Sequence, residues 1–123
     1  LINNSMPNNS EIILSQNTHP SDSSVATITG DKYKGDGYYG RSDGLHTIQY
    51  DISGFIGTVN IQGTLAIDPV EADWFAVYTQ AHPVSADEGT TSSVIANFTG
   101  NYVWVRAYIE YTDGVINFIK LNH

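Results

Sequence analysis

Four histidines, thirteen Asp and Glu residues and fourteen Phe, Tyr and Trp rings are the side chains of this sequence that could do chemistry. His19, His46, His82 and His123 are scattered along the chain. No two of them have the i, i+2 or i, i+4 spacing that places a metal pair on one strand or helix. A serine nucleophile would need a histidine and an acid converging on a strand-to-helix elbow, and no stretch has the helical period to build one. His46 leads an apolar strand face and reads as a packing residue, whereas His82 stands in a loop beside Pro83.

The acids fall in two groups. Asp68, Glu71 and Asp73 lie close together, and Asp31, Asp36 and Asp43 flank the stretch Tyr38-Tyr39-Gly40. Calcium takes several oxygen ligands at once, but neither group has the spacing of a known loop motif, so both read as solvated turn acids. Gly35-Asp36-Gly37-Tyr38-Tyr39-Gly40 is rich in glycine but lacks the Lys-Ser/Thr pair and the following helix of a phosphate loop. Paired carboxylates could hydrolyse glycosides, yet nothing in the sequence fixes a separation between two of them. No catalytic residue, metal site or cofactor is assigned. Tyr38, Tyr39, Trp74 and Trp104 suit stacking against a sugar, with Arg41 and Asp43 as polar partners; core packing for Trp104 and loop anchoring for the tyrosines is the commoner role of such rings. Asn3, Asn8 and Asn97 each begin a glycosylation sequon, a short pattern with many chance matches.

The elements that must position these groups are strands. Leu45–Ile52, Thr58–Leu65, Trp74–Tyr78, Ser93–Phe98, Tyr102–Tyr111 and Val115–Leu121 are short apolar or alternating segments, the pattern of strands. In the second of these, Val59, Ile61 and Leu65 are the inner face. Val103, Val105, Ala107 and Ile109 form one face of the Tyr102–Tyr111 segment, and Tyr102, Trp104, Arg106, Tyr108 and Glu110 the other. That second face is too aromatic for a plainly solvated one. A second sheet or another subunit covers it, or it is an exposed binding surface. Ser53-Gly54 marks a corner, and Thr112-Asp113-Gly114 predicts a tight hairpin joining the last two strands. After Pro69, Val70–Asp73 allows at most one helical turn. Seven to eight strands at this spacing predict an all-β fold, an antiparallel β-sandwich or jelly roll.

Residues 1–24 differ in kind. They are rich in Asn, Ser and Pro and carry one apolar cluster, Ile12-Ile13-Leu14. They predict an extended polar N-terminal arm or linker, with the sandwich domain spanning 25–123. The cluster serves either as an edge strand of the chain's own sheet or as a strand donated to a partner.

A chain of 123 residues has room for one domain. Its net charge of −8 opposes binding to a nucleic-acid backbone, which needs clustered Lys and Arg. No apolar run approaches the length of a membrane-spanning helix, so no membrane insertion is expected. There are no cysteines, which removes disulfides and thiolate chemistry.

Gly37-Tyr38-Tyr39-Gly40-Arg41-Ser42-Asp43-Gly44, Gly63-Thr64-Leu65 with Asp73-Trp74-Phe75, and Phe98-Thr99-Gly100-Asn101-Tyr102-Val103-Trp104-Val105-Arg106-Ala107 carry a resemblance. Over residues 35–123 the chain resembles small β-sandwich structural proteins of tailed bacteriophages, especially T4-like phages of marine bacteria and cyanobacteria. The resemblance implies a non-enzymatic virion component: a fibre, neck, baseplate or capsid-surface domain, assembled in the host cytoplasm. It would dock on other virion proteins, as a homo-oligomer. The alternative is a glycan-binding domain, either a reader of a host-surface glycan or a carbohydrate-binding module. Contacts to partner or glycan are expected at Ile12, Ile13, Leu14, Tyr38, Tyr39, Arg41 and Trp74.

Overall fold

The computed structural model describes residues 10–20, 22, 24–40, 44–82 and 90–122. Eight antiparallel strands carry the fold: β1 (Ser10–Leu14), β2 (Asn17–Thr18), β3 (Ala26–Thr29), β4 (Tyr33–Lys34), β5 (Leu45–Thr64), β6 (Phe75–His82), β7 (Thr90–Thr99) and β8 (Trp104–Asn122). The single helical element among the described residues is a 3-10 turn, Glu71–Asp73, where the sequence allows one turn.

Two very long strands organise everything else. β5 and β8 pair along their whole lengths, from Thr47↔Asn122 to Thr64↔Trp104. β1, β2, β3 and β4 follow one another along the free edge of β8. β7 and β6 divide the free edge of β5 between them. A straight strand of this length would extend roughly 60 Å. Yet the ring of His46, near one end of the β5–β8 ribbon, lies 6.2 Å from that of Tyr102, beside the other end. Gly100, whose N–H donates to the Gly44 carbonyl at 3.0 Å, is also only three residues from Val103, whose N–H donates to the Thr64 carbonyl at 2.9 Å at the far end of β5. The ribbon is therefore folded back on itself, and its two halves are the two layers of the sandwich.

The bend corrects two expectations. Ser53-Gly54 is no corner between strands, and Asp113-Gly114 is no hairpin: β5 and β8 each continue through as one bent strand. Asp-Gly supplies a positive φ here too, but for a bend in a continuing strand. Gly54 has φ +59° and Gly114 φ +95°, and the pairing slips between Ser53 and Ile56. A β-bulge of this kind sharpens the local bend. It also changes which residues point inward: Ile48, Tyr50 and Ile52 are buried before it, Phe55, Val59 and Ile61 after it. Val105, Ala107, Ile109, Tyr111, Ile116, Ile119 and Leu121 of β8 complete the core. Phe55 stacks on Tyr111 at 5.5 Å just inside the bend. Leu65, expected on the inner face, lies beyond the end of β5 and is exposed.

The N-terminal boundary shifts as well. Ser10–Leu14 pairs with Ser10↔Asn122 and Leu14↔Ile119, so the sheet begins well before Val25. Ile13 and Leu14 are buried in the chain's own core, and only Ile12 of that cluster faces out. The edge-strand alternative describes this segment.

At the bend, a Cβ on Gly114 would lie 2.4 Å from the Gly54 carbonyl oxygen, while one on Gly54 would meet nothing within 4 Å. Gly54→Ala should therefore lose about 1–2 kcal/mol, the cost of a left-handed alanine. Gly114→Ala should lose clearly more, because steric overlap adds to the strain. Urea denaturation measures both; equal losses would contradict this account of the bend.

Candidate functional site

Tyr38 and Tyr39 are held in place by glycines. The Gly35 N–H donates to the Val103 carbonyl and the Gly37 N–H to the Tyr102 carbonyl, each at 2.9 Å. A Cβ on Gly35 would come within 2.4 Å of Tyr102 O, and one on Gly37 within 2.1 Å of Asn101 O. The glycine-rich stretch thus serves close backbone approach rather than anion binding. It winds through successive turns to Gly40 and leaves Tyr38 and Tyr39 46% and 47% exposed, in edge contact with each other at 5.6 Å.

Tyr38 also packs on Trp104, with ring centroids 5.1 Å apart. Trp104 stands on the outer face of β8, paired with Lys34 of β4, and its indole N–H donates to the Ile67 carbonyl at 2.8 Å. Lys32 Nζ lies 4.9 Å from the Trp104 ring and Lys34 Nζ 4.6 Å from the Tyr38 ring. Two residues further along β8, Arg106 lies 4.4 Å from the Trp74 ring. Its Nε donates to Gln62 Oε1 at 2.7 Å, and its two Nη groups donate to the two carboxylate oxygens of Glu71. The Arg106 side chain is 7% exposed and that of Glu71 78%, so the pair joins a buried cation to an acid at the rim. The hydrogen bond from Arg106 holds the Glu71 carboxyl below its ordinary range. Asp31, Lys32, Val70, Glu71, Trp74 and Arg106 surround an open groove of about 250 Å³.

The outer face of β8 is therefore a shelf of aromatic rings and cations. Lys32, Lys34 and Arg106 are three of the chain's five Lys and Arg residues. Of the residues singled out in the sequence, the structure brings Tyr38 and Tyr39 together and sets Trp74 on the groove. Arg41 lies outside the described residues, and Ile13 and Leu14 are inside the core. Sequence reasoning missed Lys32 and Lys34, read Glu71 as a solvated turn acid rather than the partner of Arg106, named Trp104 as a stacking candidate, and placed Arg106 only on a strand face. The period-two pattern of β8 was the usable signal; the lysines gave none, because β4 is only two residues long.

His19, His46 and His82 serve packing, and His123 lies outside the described residues. His46 is buried, stacks on Phe98 at 4.8 Å and donates from Nδ1 to the Gly44 carbonyl at 2.8 Å. His19 is buried against Tyr111, and its Nε2 donates to the Ser24 carbonyl at 3.0 Å. His82 is the last residue of β6 rather than a loop residue, and its Nε2 is 2.7 Å from the Tyr50 hydroxyl, which also meets the Tyr78 hydroxyl at 3.1 Å. The letters Gly-x-Ser-x-Gly do occur, at Gly40-Arg41-Ser42-Asp43-Gly44. They lead into β5, not into the helix that a nucleophile elbow requires. Arg41, Ser42 and Asp43 themselves lie outside the described residues. No group of three His, Cys, Asp or Glu residues suited to a metal occurs among the described residues, and no helix among them is long and apolar enough to cross a membrane. Asn97, on β7, accepts a hydrogen bond from Thr47 at 2.7 Å; Asn3 and Asn8 lie outside the described residues.

No protein-family model and no curated protein matches the chain. Similar solved structures include the carbohydrate-binding module CBM6cm-2 from Cellvibrio mixtus lichenase 5A, in complex with cellotriose. It is 18% identical, with 92% of this chain and 98% of that one covered and a TM-score of 0.41. The family 29 module CBM29_1 from Piromyces equi is 8% identical over 96% and 93% of the two chains, with a TM-score of 0.45. The K3 adhesin domain of Lys-gingipain from Porphyromonas gingivalis is 8% identical over 91% and 71%, with a TM-score of 0.46. At these values the similarities assign neither ligand nor site to this chain.

Burial holds the His82 imidazole below its ordinary pKa of about 6.5. The unfolded chain therefore binds that proton first as pH falls. The stability contributed by neutral His82 is complete above about pH 6.5 and lost below it. Thermal melts should show the advantage of wild type over His82→Gln shrinking from pH 7 to pH 5. A difference independent of pH would contradict burial of the neutral ring.

Proposed function

We propose that this chain is a non-enzymatic glycan-binding domain, and that its ligand lies along the shelf formed by Tyr38, Tyr39, Trp104 and the Trp74 groove. One observation carries the reading: Tyr38 and Tyr39 are half exposed, touch each other, and are held by backbone contacts that admit no side chain at Gly35 or Gly37. Rings fixed in this way offer apolar faces at little entropic cost on binding. Glu71, Asp31 and Lys32 stand at the groove beside them with polar atoms for sugar hydroxyls. His19, His46 and His82, by contrast, are turned inward to carbonyl and tyrosine partners.

A second reading, the virion structural domain, is supported by a different surface. Leu65, Ile67, Val70 and Phe75 cluster in sequence from just after β5 to the first residue of β6 and are all exposed, Ile67 to 76%. A concentration of exposed apolar side chains is a feature of protein-docking surfaces. On this reading the domain docks on copies of itself and on other virion proteins.

A glycan array of neutral and acidic oligosaccharides, combined with sedimentation equilibrium, separates the two. The glycan reading predicts retention on at least one class of sugar. It also predicts that Tyr38→Ala and Tyr39→Ala each weaken binding by about three- to tenfold while leaving the melting temperature close to wild type. No retention on any sugar would overturn it. A silent array, together with an oligomer that Ile67→Asp dissociates, would establish docking instead.

A further inference from the structure

The rings of the shelf are already in contact with the protein's own cations. Lys32 sits over Trp104, Lys34 over Tyr38 and Arg106 over Trp74. Arg106 is fixed by Glu71 and Gln62. The two lysines are not: both are exposed, and among the described residues neither forms an ion pair. On a chain of net charge −8, two ammonium groups held only by aromatic faces are a local exception.

A sugar ring that stacks on the lysine-covered face of Tyr38 or Trp104 must first displace an ammonium group. An exposed cation–π contact is worth about 0.5–1 kcal/mol. A neutral sugar loses that contact and returns the lysine to water. A sugar carrying an anionic group lets the displaced ammonium form a charge-assisted hydrogen bond only a few ångströms away, which is stronger than the contact it left. The lysine stems are flexible enough to follow. The Tyr38 and Trp104 rings that the two lysines cover are themselves 5.1 Å apart, so both ammonium groups border one aromatic pair.

We infer that the ligand of the shelf is an anionic saccharide, with its carboxylate or sulfate bound by Lys32 and Lys34 while its ring stacks on Tyr38 and Trp104. This rests on the glycan-binding reading and narrows its substrate class. Asp31 and Glu71 line the Trp74 groove beside Lys32, so the anionic substituent belongs on the Tyr38 and Lys34 side of Lys32 and neutral hydroxyls in the groove.

Titration calorimetry tests this with paired probes: oligogalacturonate against its methyl ester, and a sulfated galactan oligosaccharide against its desulfated form. Within at least one pair the anionic member should bind about tenfold more tightly than the neutral one. Lys32→Gln/Lys34→Gln should abolish that difference, chiefly by weakening the anionic member, because the neutral one no longer has an ammonium contact to displace. Added salt should weaken only the anionic member. Preference within the first pair alone identifies a carboxylate, within the second alone a sulfate, and either supports the inference. Equal binding within both pairs would overturn it and leave the glycan reading standing. If none of the four probes binds, the inference is overturned, and the array alone decides the glycan reading.

Discussion

Two glycines facing each other across adjacent strands, Gly54 and Gly114, let β5 and β8 bend at the same level. Without that shared bend the ribbon would stay open, with one whole apolar face in water. With it, each half of the ribbon covers the other, and sixteen buried apolar residues form one core. Burying a large apolar side chain contributes roughly 1.5–3 kcal/mol, so the core depends on the two strands bending together. Gly54 needs only its positive φ. Gly114 needs both the φ and the absence of a side chain, because the neighbouring backbone fills the space where a Cβ would stand.

The same bend decides what lies outside. Folding the ribbon puts the apolar face of β8 inward, and its other face, with Trp104 and Arg106, outward beside β4. Short strands along the edge then act as brackets. β4, two residues long, sets Lys34 beside Trp104, and the glycine-rich turns after it press against residues 101–103 to lay Tyr38 on the same ring. The one-turn helix supplies Glu71 to Arg106, and Arg106 in turn lies over Trp74. The shelf is thus assembled from loops and edges carried on a rigid central pair. Function is commonly placed in this way, because loops can vary without cost to the core.

Much of this was legible in the sequence. The all-β class, the inward set Val105, Ala107 and Ile109, and the single helical turn near Glu71 follow from periodicity and from Pro69. The paired bend did not follow. An Asp-Gly dipeptide between two alternating segments carries the same local signal whether the chain reverses in a hairpin or kinks and continues. Only the partner strand, with its own glycine at the same level, decides between them, and that pairing is non-local. Ile12–Leu14 posed a similar ambiguity: a short apolar cluster in a polar leader cannot show whose sheet it completes. The site was half legible for a related reason. Aromatic residues announce themselves by type, but the lysines that cover them meet them only through the register of β4 on β8.

Glycan binding by this domain requires a saccharide to touch the outer face of β8. The two tryptophans make that directly measurable, since Trp74 and Trp104 each give one indole N–H resonance. In a ¹⁵N-resolved NMR titration with the best-retained oligosaccharide, both indole signals and the Tyr38 amide should move together and saturate at one concentration. Shifts confined to the opposite layer, around Thr47, Asp51 and Asn97, with both indoles unmoved, would contradict it.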